Sequence, residues 1–204
     1  MVAAGADRVF VVNTGDDTHP GSLSLLDATS GAVVRTVPSD AGYNYDVFAV
    51  DDRTGRVFGT ADRTVRVWDA RSGAELARIK IPGGRTSALA ISAGTNRLFV
   101  VNSDHQSVSM LDARSGRVLR TIPVGLQPCA LAVDERTHRV FVVNAGSDSV
   151  SVLDATTGQT LDTLPVGVTP IAIGVDARLG HAAVYNAASA TVSVLETRTG
   201  QRHF

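Results

Sequence analysis

Cysteine occurs once, at Cys129, so the chain forms no internal disulfide and offers no cysteine-built zinc cluster. Lysine also occurs once, at Lys80, among nineteen basic residues, a bias that reflects genome composition more than chemistry. Neither charge sign dominates. Nineteen basic side chains face twenty acidic ones, a net charge of −1, so neither a nucleic-acid footprint nor a polybasic membrane patch is expected. Apolar runs are only a few residues long, too short to span a bilayer, and no membrane insertion is expected. The opening MVAAGADRVF lacks the basic and apolar regions of a signal peptide. Helix-period stretches of useful length are missing as well. What is present is 204 residues at 44% hydrophobic and 19% charged, enough chain for a real core in a globular protein.

That chain is built on an internal repeat. LDATSG ends at Gly31, WDARSG at Gly73, LDARSG at Gly116, LDATTG at Gly158 and LETRTG at Gly200, giving spacings of 42, 43, 42 and 42 residues. Upstream of each lies VFVVN or a variant, ending at Asn13, Thr60, Asn102, Asn144 and Asn186. TIPVG (121–125) and TLPVG (163–167) follow two of the turns, and ALAVD (130–134) has counterparts at 47–51, 88–92 and 172–176. Each period reads as four short strands, because SVSVLD alternates polar and apolar residues and VFVVN is β-branched and aromatic. In D-A-x-[ST]-G the Asp can accept hydrogen bonds from backbone N–H groups two or three residues on, and the Gly supplies a positive φ. Gly55, Asn96, His138 and Gly180 share a second turn position that also favours the left-handed region. Four strands per period of about 42 residues is the signature of a β-propeller blade. The expectation is an all-β fold: one propeller domain over 1–204, with five four-stranded blades and incomplete first and last blades.

VFVVN, SVSVLDATTG, TLPVG and TPIAIGVD closely resemble the YVTN-type, or YncE-like, β-propeller repeats over about residues 8–200. Thr60 departs from the Asn that marks the motif. The resemblance implies a propeller, commonly of about seven blades, mostly without assigned chemistry and often secreted or periplasmic. Trp68-Asp69 is superficially similar to a WD repeat, but its equivalents are Leu26-Asp27, Leu111-Asp112 and Leu153-Asp154. Five blades are fewer than the resemblance implies. The chain either closes a five-bladed ring, belongs to a longer propeller, or closes by association. Met1–Asp7 leave little sequence for a first inner strand, and Gln201–Phe204 little for a last outer one. Open strand edges there invite self-association.

Candidate site residues come from positions that break the repeat, since blade geometry does not require their identity. Asn44, Arg85, Gln127 and Thr169 are equivalent and all different at the entrance to the inner strand. Tyr45 and Asp46 follow the first of them and Tyr43 precedes it, so YNYD gathers aromatic and acidic groups at the channel mouth. Asp104-His105 stands where later copies have Gly146-Ser147 and Ala188-Ser189, and Asp16, Asp17 and His19 lie in the longest such loop. The ligand-binding set is therefore Tyr43, Asn44, Tyr45, Asp46, Arg85, Asp104, His105 and Gln127; for any one of them, solvated loop decoration is the plainer reading. Asp16, Asp17, Asp40, Asp46, Asp62, Asp104 and Asp148 against Arg63 and Arg85 make this face acidic, which favours a cationic ligand. His138 reads as a turn residue, His181 as a solvated flank and Cys129 as a small inner-strand residue.

No catalytic residue, metal ligand or cofactor is assigned. H-E-x-x-H, G-x-S-x-G and phosphate-binding glycine loops are all missing. The leading expectation is a non-catalytic propeller whose loops bind a small molecule or a protein. One alternative is a hydrolase or lactonase-like enzyme at the channel mouth, with Asp46 the best-placed group; another is a structural repeat array of a cell-surface protein.

Overall fold

The computed structural model describes residues 2–3, 8–13, 22–38, 47–61, 63–82, 85–199 and 202–203. Its strands form five four-stranded antiparallel sheets, each a meander of four consecutive strands. The chain divides into two compact units, Met1–Ile81 and Pro82–Phe204.

The first unit holds two sheets. One contains β1 (Val2–Ala3), β2 (Arg8–Asn13), β3 (Ser22–Asp27) and β4 (Val33–Pro38); the other contains β5 (Phe48–Asp51), β6 (Arg56–Ala61), β7 (Thr64–Asp69) and β8 (Glu75–Lys80). Alternation along each strand sends residues to two faces. Phe10, Leu23 and Leu25 of the first sheet cluster with Phe48, Val57, Trp68 and Ala70 of the second. The second sheet departs from the repeat in a coordinated way. Gly59 stands where other copies have Val, and a Cβ there would meet the Phe48 ring at 2.4 Å. The Phe48 ring thus fills the space a valine would occupy, and it stacks on Trp68 at 5.8 Å.

The second unit holds three sheets. They are β9 (Thr86–Ser92), β10 (Arg97–Asn102), β11 (Ser107–Asp112) and β12 (Val118–Pro123); β13 (Pro128–Asp134), β14 (Arg139–Asn144), β15 (Ser149–Asp154) and β16 (Thr160–Pro165); and β17 (Pro170–Asp176), β18 (His181–Asn186), β19 (Thr191–Glu196) and β20 (Arg202–His203). Phe99, Val101, Val108 and Met110 of its first sheet pack with Val140, Val142 and Leu153 of its second. Phe141, Val143, Val150 and Val152 on that second sheet's other side pack with Ala182, Val184 and Leu195 of its third. Within each unit, then, the forward face of one sheet packs on the rear face of the sheet that follows it. Side chains sealed this way contribute about 1.5–3 kcal/mol each before the entropy of ordering is subtracted.

The repeated turns behave as their sequence demands. Gly31, Gly73, Gly116 and Gly158 have φ of 70°, 67°, 71° and 70°. Asp154 Oδ1 accepts the N–H groups of Thr156 and Thr157 at 2.9 and 2.7 Å and the Thr157 hydroxyl at 2.9 Å. Asp27, Asp69 and Asp112 do the same in their own turns. At the second turn Gly55, Asn96, His138 and Gly180 all have positive φ. His138 is thus a backbone residue, as its place in the repeat implies. The Asn ending β10, β14 and β18 is buried; Asn144 Nδ2 donates to Ser149 Oγ at 3.2 Å and Ser151 Oγ at 3.0 Å. Asn102 and Asn186 repeat this arrangement. A Cβ on Gly125 would lie 2.7 Å from Asn144 Cγ, so the PVG glycine and the strand-ending Asn require each other. In the second repeat the register corrects the sequence expectation: Ala61, not Thr60, takes the place of the strand-ending Asn, since it pairs with Thr64 as Asn144 pairs with Ser149, and Arg66 replaces the second serine; Arg66 pairs with Glu75 and lies 5.3 Å over the Trp68 ring.

The two short terminal strands pair with their own neighbours, β1 with β2 and β20 with β19. No helix among the described residues is long and apolar enough to cross a membrane.

Candidate functional site

The variable positions lie where loops enter the inner strands β9, β13 and β17 and where β10, β14 and β18 turn into the strands that follow. In each sheet of the second unit these two loops are zipped together by backbone. Ser103, Ala145 and Ala187 N–H groups donate to the carbonyls of Arg85, Gln127 and Thr169 at 3.0, 3.0 and 2.9 Å. In two of these sheets the ladder to the outer strand is carried one residue further, with Val124 N–H donating to Gln106 O at 3.0 Å and Val166 N–H to Asp148 O at 2.9 Å. In each sheet of the second unit the loops form a hydrogen-bonded ledge. Side chains standing on it are held by rigid backbone.

Of the eight candidate ligand-binding residues, Arg85, Asp104, His105 and Gln127 stand on this ledge, all exposed. Tyr43, Asn44, Tyr45 and Asp46 lie outside the described residues, as do Asp16, Asp17 and His19. Asp104 differs from expectation. Its Oδ2 accepts the backbone N–H of Arg85 at 2.8 Å, so the carboxylate secures the entrance loop. The same need is met at other copies by different residues. Ser147 Oγ accepts Leu126 N–H at 3.1 Å, Ser189 Oγ accepts Val168 N–H at 3.2 Å, and Asp148 Oδ1 accepts Thr169 N–H at 2.8 Å across 21 residues. Variation at these positions reflects interchangeable acceptors as well as freedom for function. Arg85, His105 and Gln127 keep side chains that this network does not use.

Gln127 carries a further constraint. It and Thr169 have φ of 50° and 52°, so their position demands left-handed backbone without supplying glycine. Gln106, Asp148 and Ala190 share the same strain at the end of the other loop, with φ of 48°, 48° and 50°. Such geometry costs a non-glycine residue on the order of 1 kcal/mol each. Sequence reasoning missed Asp148, Ser147 and Ser189; a hydroxyl or carboxylate recurring two to four residues after the strand-ending Asn was the available signal.

Cys129 lies half-buried on the inner strand β13, with Sγ 3.6 Å from the Pro170 carbonyl. Its counterpart Ser87 donates to the Pro128 carbonyl at 3.2 Å. Burial pushes the thiol above its ordinary pKa, against a lowering contribution from the Ala145 N–H, which leaves it protonated and a poor nucleophile at neutral pH. A cleft of about 450 Å³ opens beside the ledge, lined by Pro123, Gly125, Ser147, Ser149, Ser151, Thr160 and Thr163 among others. No group of three or more His, Cys, Asp or Glu side chains suited to a metal occurs among the described residues.

Comparison with known proteins bears on the fold. No family model and no curated protein matches the chain. Among solved structures, the computationally designed Ika8 protein matches 97% of this chain at 21% identity with a TM-score of 0.77. Dihydro-heme d1 dehydrogenase NirN, solved in complex with DHE, matches 100% at 19% identity and 0.79, and Kuenenia stuttgartiensis hydrazine synthase matches 78% at 16% and 0.70. The fold is all-β and propeller-like. At these identities the likeness concerns fold alone. The chain spans about half the length of these structures: 58%, 44% and 48% of the designed protein, the dehydrogenase and the synthase.

Proposed function

We propose that the protein is a non-catalytic propeller of five YVTN-type (YncE-like) blades in a single domain, presenting the loops at the inner-strand entrances to a small-molecule or protein ligand. The observation that carries this reading is the division of labour between the two sets of turns. In the D-A-x-[ST]-G turns the recurring polar side chains are consumed by their own backbone. On the ledge, Arg85, His105 and Gln127 extend exposed from a hydrogen-bonded backbone at positions where the repeat varies. Hydrogen-bonding and charged side chains on a rigid support are what a binding site needs. Tyr43, Asn44, Tyr45 and Asp46 occupy the equivalent entrance of the preceding repeat and are candidates on the sequence pattern. The acidic balance of these loops favours a cationic ligand over nucleic acid. The YVTN resemblance supports an extracytoplasmic setting, periplasmic or secreted.

The test is a binding screen against cationic small molecules and basic peptides, followed by Arg85→Ala and Tyr45→Ala. Each variant should weaken binding while leaving the melting temperature within the range of an ordinary surface change, about 0.5 kcal/mol. Ligand contacts confined to the DERTHR and DATTG turns would overturn the assignment.

A further inference from the structure

The cleft beside the ledge separates two sheets of the second unit, and its two walls differ in chemistry. Pro123, Val124 and Gly125, where β12 leads towards β13, form one wall; Ser149 and Ser151 of β15 with Thr160 and Thr163 of β16 form the other. Both ends are tied. Leu126 N–H donates to Ser147 Oγ at 3.1 Å at one, and Arg120 Nη1 donates to the Thr157 carbonyl at 3.1 Å at the other. No charged or aromatic side chain among the described residues lines the cleft. Ser149 and Ser151 are 7% and 1% exposed and form its floor, while Thr160 and Thr163 are open to solvent. Ser151 is incompletely matched. Its Oγ accepts Asn144 Nδ2 at 3.0 Å, but among the described residues its own proton meets no acceptor. A buried hydroxyl proton left this way is costly unless something in the cleft accepts it. Thr160 is peculiar to this repeat, because Val33, Glu75 and Val118 hold its place in the preceding ones.

We propose that this cleft binds a neutral carbohydrate, a mono- or disaccharide unit held between the two sheets. None of Arg85, His105 and Gln127 lines it, so the site does not depend on what the ledge binds. Its volume of about 450 Å³ is in the small-molecule range. An uncharged lining offers no counter-ion to a phosphate, carboxylate or ammonium group, whose removal from water would go uncompensated. Without an aromatic ring there is no platform on which a nucleobase stacks. A hydroxyl both donates and accepts. A ligand with hydroxyls on successive carbons therefore meets Thr160 and Thr163 in either sense and takes the Ser151 proton on one of its oxygens. Opposite them, Pro123 and Val124 present carbon surface to the C–H face of a sugar ring.

The experiment is titration of the isotope-labelled full chain with glucose, galactose, N-acetylglucosamine and maltose, read through backbone amide chemical shifts. Glycerol, choline and inorganic phosphate serve as probes of other classes. At least one sugar should saturably shift the amides of Val124, Gly125, Ser149 and Ser151. Thr160→Val, which places at this position the side chain of the preceding repeat, should leave the melting temperature unchanged. It should weaken that sugar by about fivefold, the loss of one neutral hydrogen bond. Ser151→Ala should weaken it at least as much; if that variant unfolds because Asn144 loses an acceptor, Thr160→Val decides alone. A panel that gives no saturable shift at those amides overturns the inference. So does a sugar whose shifts centre on Arg85 and His105, an equal response to glycerol, or tighter binding of choline or phosphate in the cleft. Sugar binding that Thr160→Val leaves undiminished overturns it as well.

Discussion

The β13–β16 and β17–β20 sheets are near copies in sequence and topology, but they occupy different environments. VFVVN in β14 is buried on both sides, with Phe141 and Val143 under the next sheet and Val140 and Val142 over the previous one. In β18 the same pattern is written HAAVYN: Ala182 and Val184 are buried on the rear, while Ala183 and Tyr185 are exposed in front. The strand needs only its rear face and its ladder bonds to form. The comparison teaches that one packed face is sufficient for the blade and that the second is a matter of neighbours.

The largest expected effect is on the covered face. Phe141→Ala removes a fully buried ring and should cost about 3–5 kcal/mol, whereas Tyr185→Ala on the open face of the next sheet should change stability by about 0.5 kcal/mol or less. Chemical denaturation of both variants measures the contrast. Equal losses would mean that the two faces are equally covered in solution.

A second contrast separates backbone strain from crowding. Gly31 and Gly158 share a φ of 70°, but a Cβ at Gly31 meets nothing within 4 Å, while at Gly158 it lies 3.0 Å from Ile122 Cδ1 and 3.1 Å from Met110 Sδ. Gly31→Val should cost about 1 kcal/mol through φ alone, and Gly158→Val about 1–3 kcal/mol more through overpacking. Matching melting temperatures for the two would break the distinction.

Next in size come the turn aspartates, which serve every sheet alike. Burial of Asp154 opposes its ionisation, but the Thr157 N–H and hydroxyl, the Thr156 N–H and the charge of His138 outweigh it and hold the carboxyl below its ordinary pKa. Asp27, Asp69 and Asp112 are lowered too, chiefly by the N–H of Ser30, Ser72 and Ser115. A folded-state pKa below the unfolded value contributes stability that is present above the unfolded pKa and lost as pH falls through the folded one. The melting temperature should therefore fall steadily below about pH 4, the unfolded carboxylate range. Asp154→Ala should cost about 1 kcal/mol at neutral pH and flatten that acid-side slope.

The smallest effects are expected on the ledge and the inner strand. His105→Ala should leave stability within about 0.5 kcal/mol. Cys129→Ser should also be mild, because Ser87 already shows a hydroxyl donating to the following proline carbonyl in that register. Thiol titration of the native protein should show Cys129 reacting more slowly than a free cysteine. A fast reaction would reopen the inner strand as a reactive site.

Much of the fold was legible because the repeat is local chemistry written several times over. The turn glycines, the aspartates that bind their own loop and the β-branched strands act within a few residues of chain, so a 42-residue period exposes them directly. The site was less legible for the same reason. Asp104 read as a free acid beside His105, yet its partner is the Arg85 N–H nineteen residues away, and Gln127 read as a free side chain while its backbone sits at a strained φ. Neither fact is local. What the sequence alone determined is the blade: four strands and their turns, because each depends on propensities and hydrogen bonds between near neighbours. Which face of a blade is sealed, which loop acids are consumed by backbone, and why Gly125 must pair with Asn144 were decided only in the tertiary structure, since packing and hydrogen bonds between distant segments depend on where the folded chain brings them.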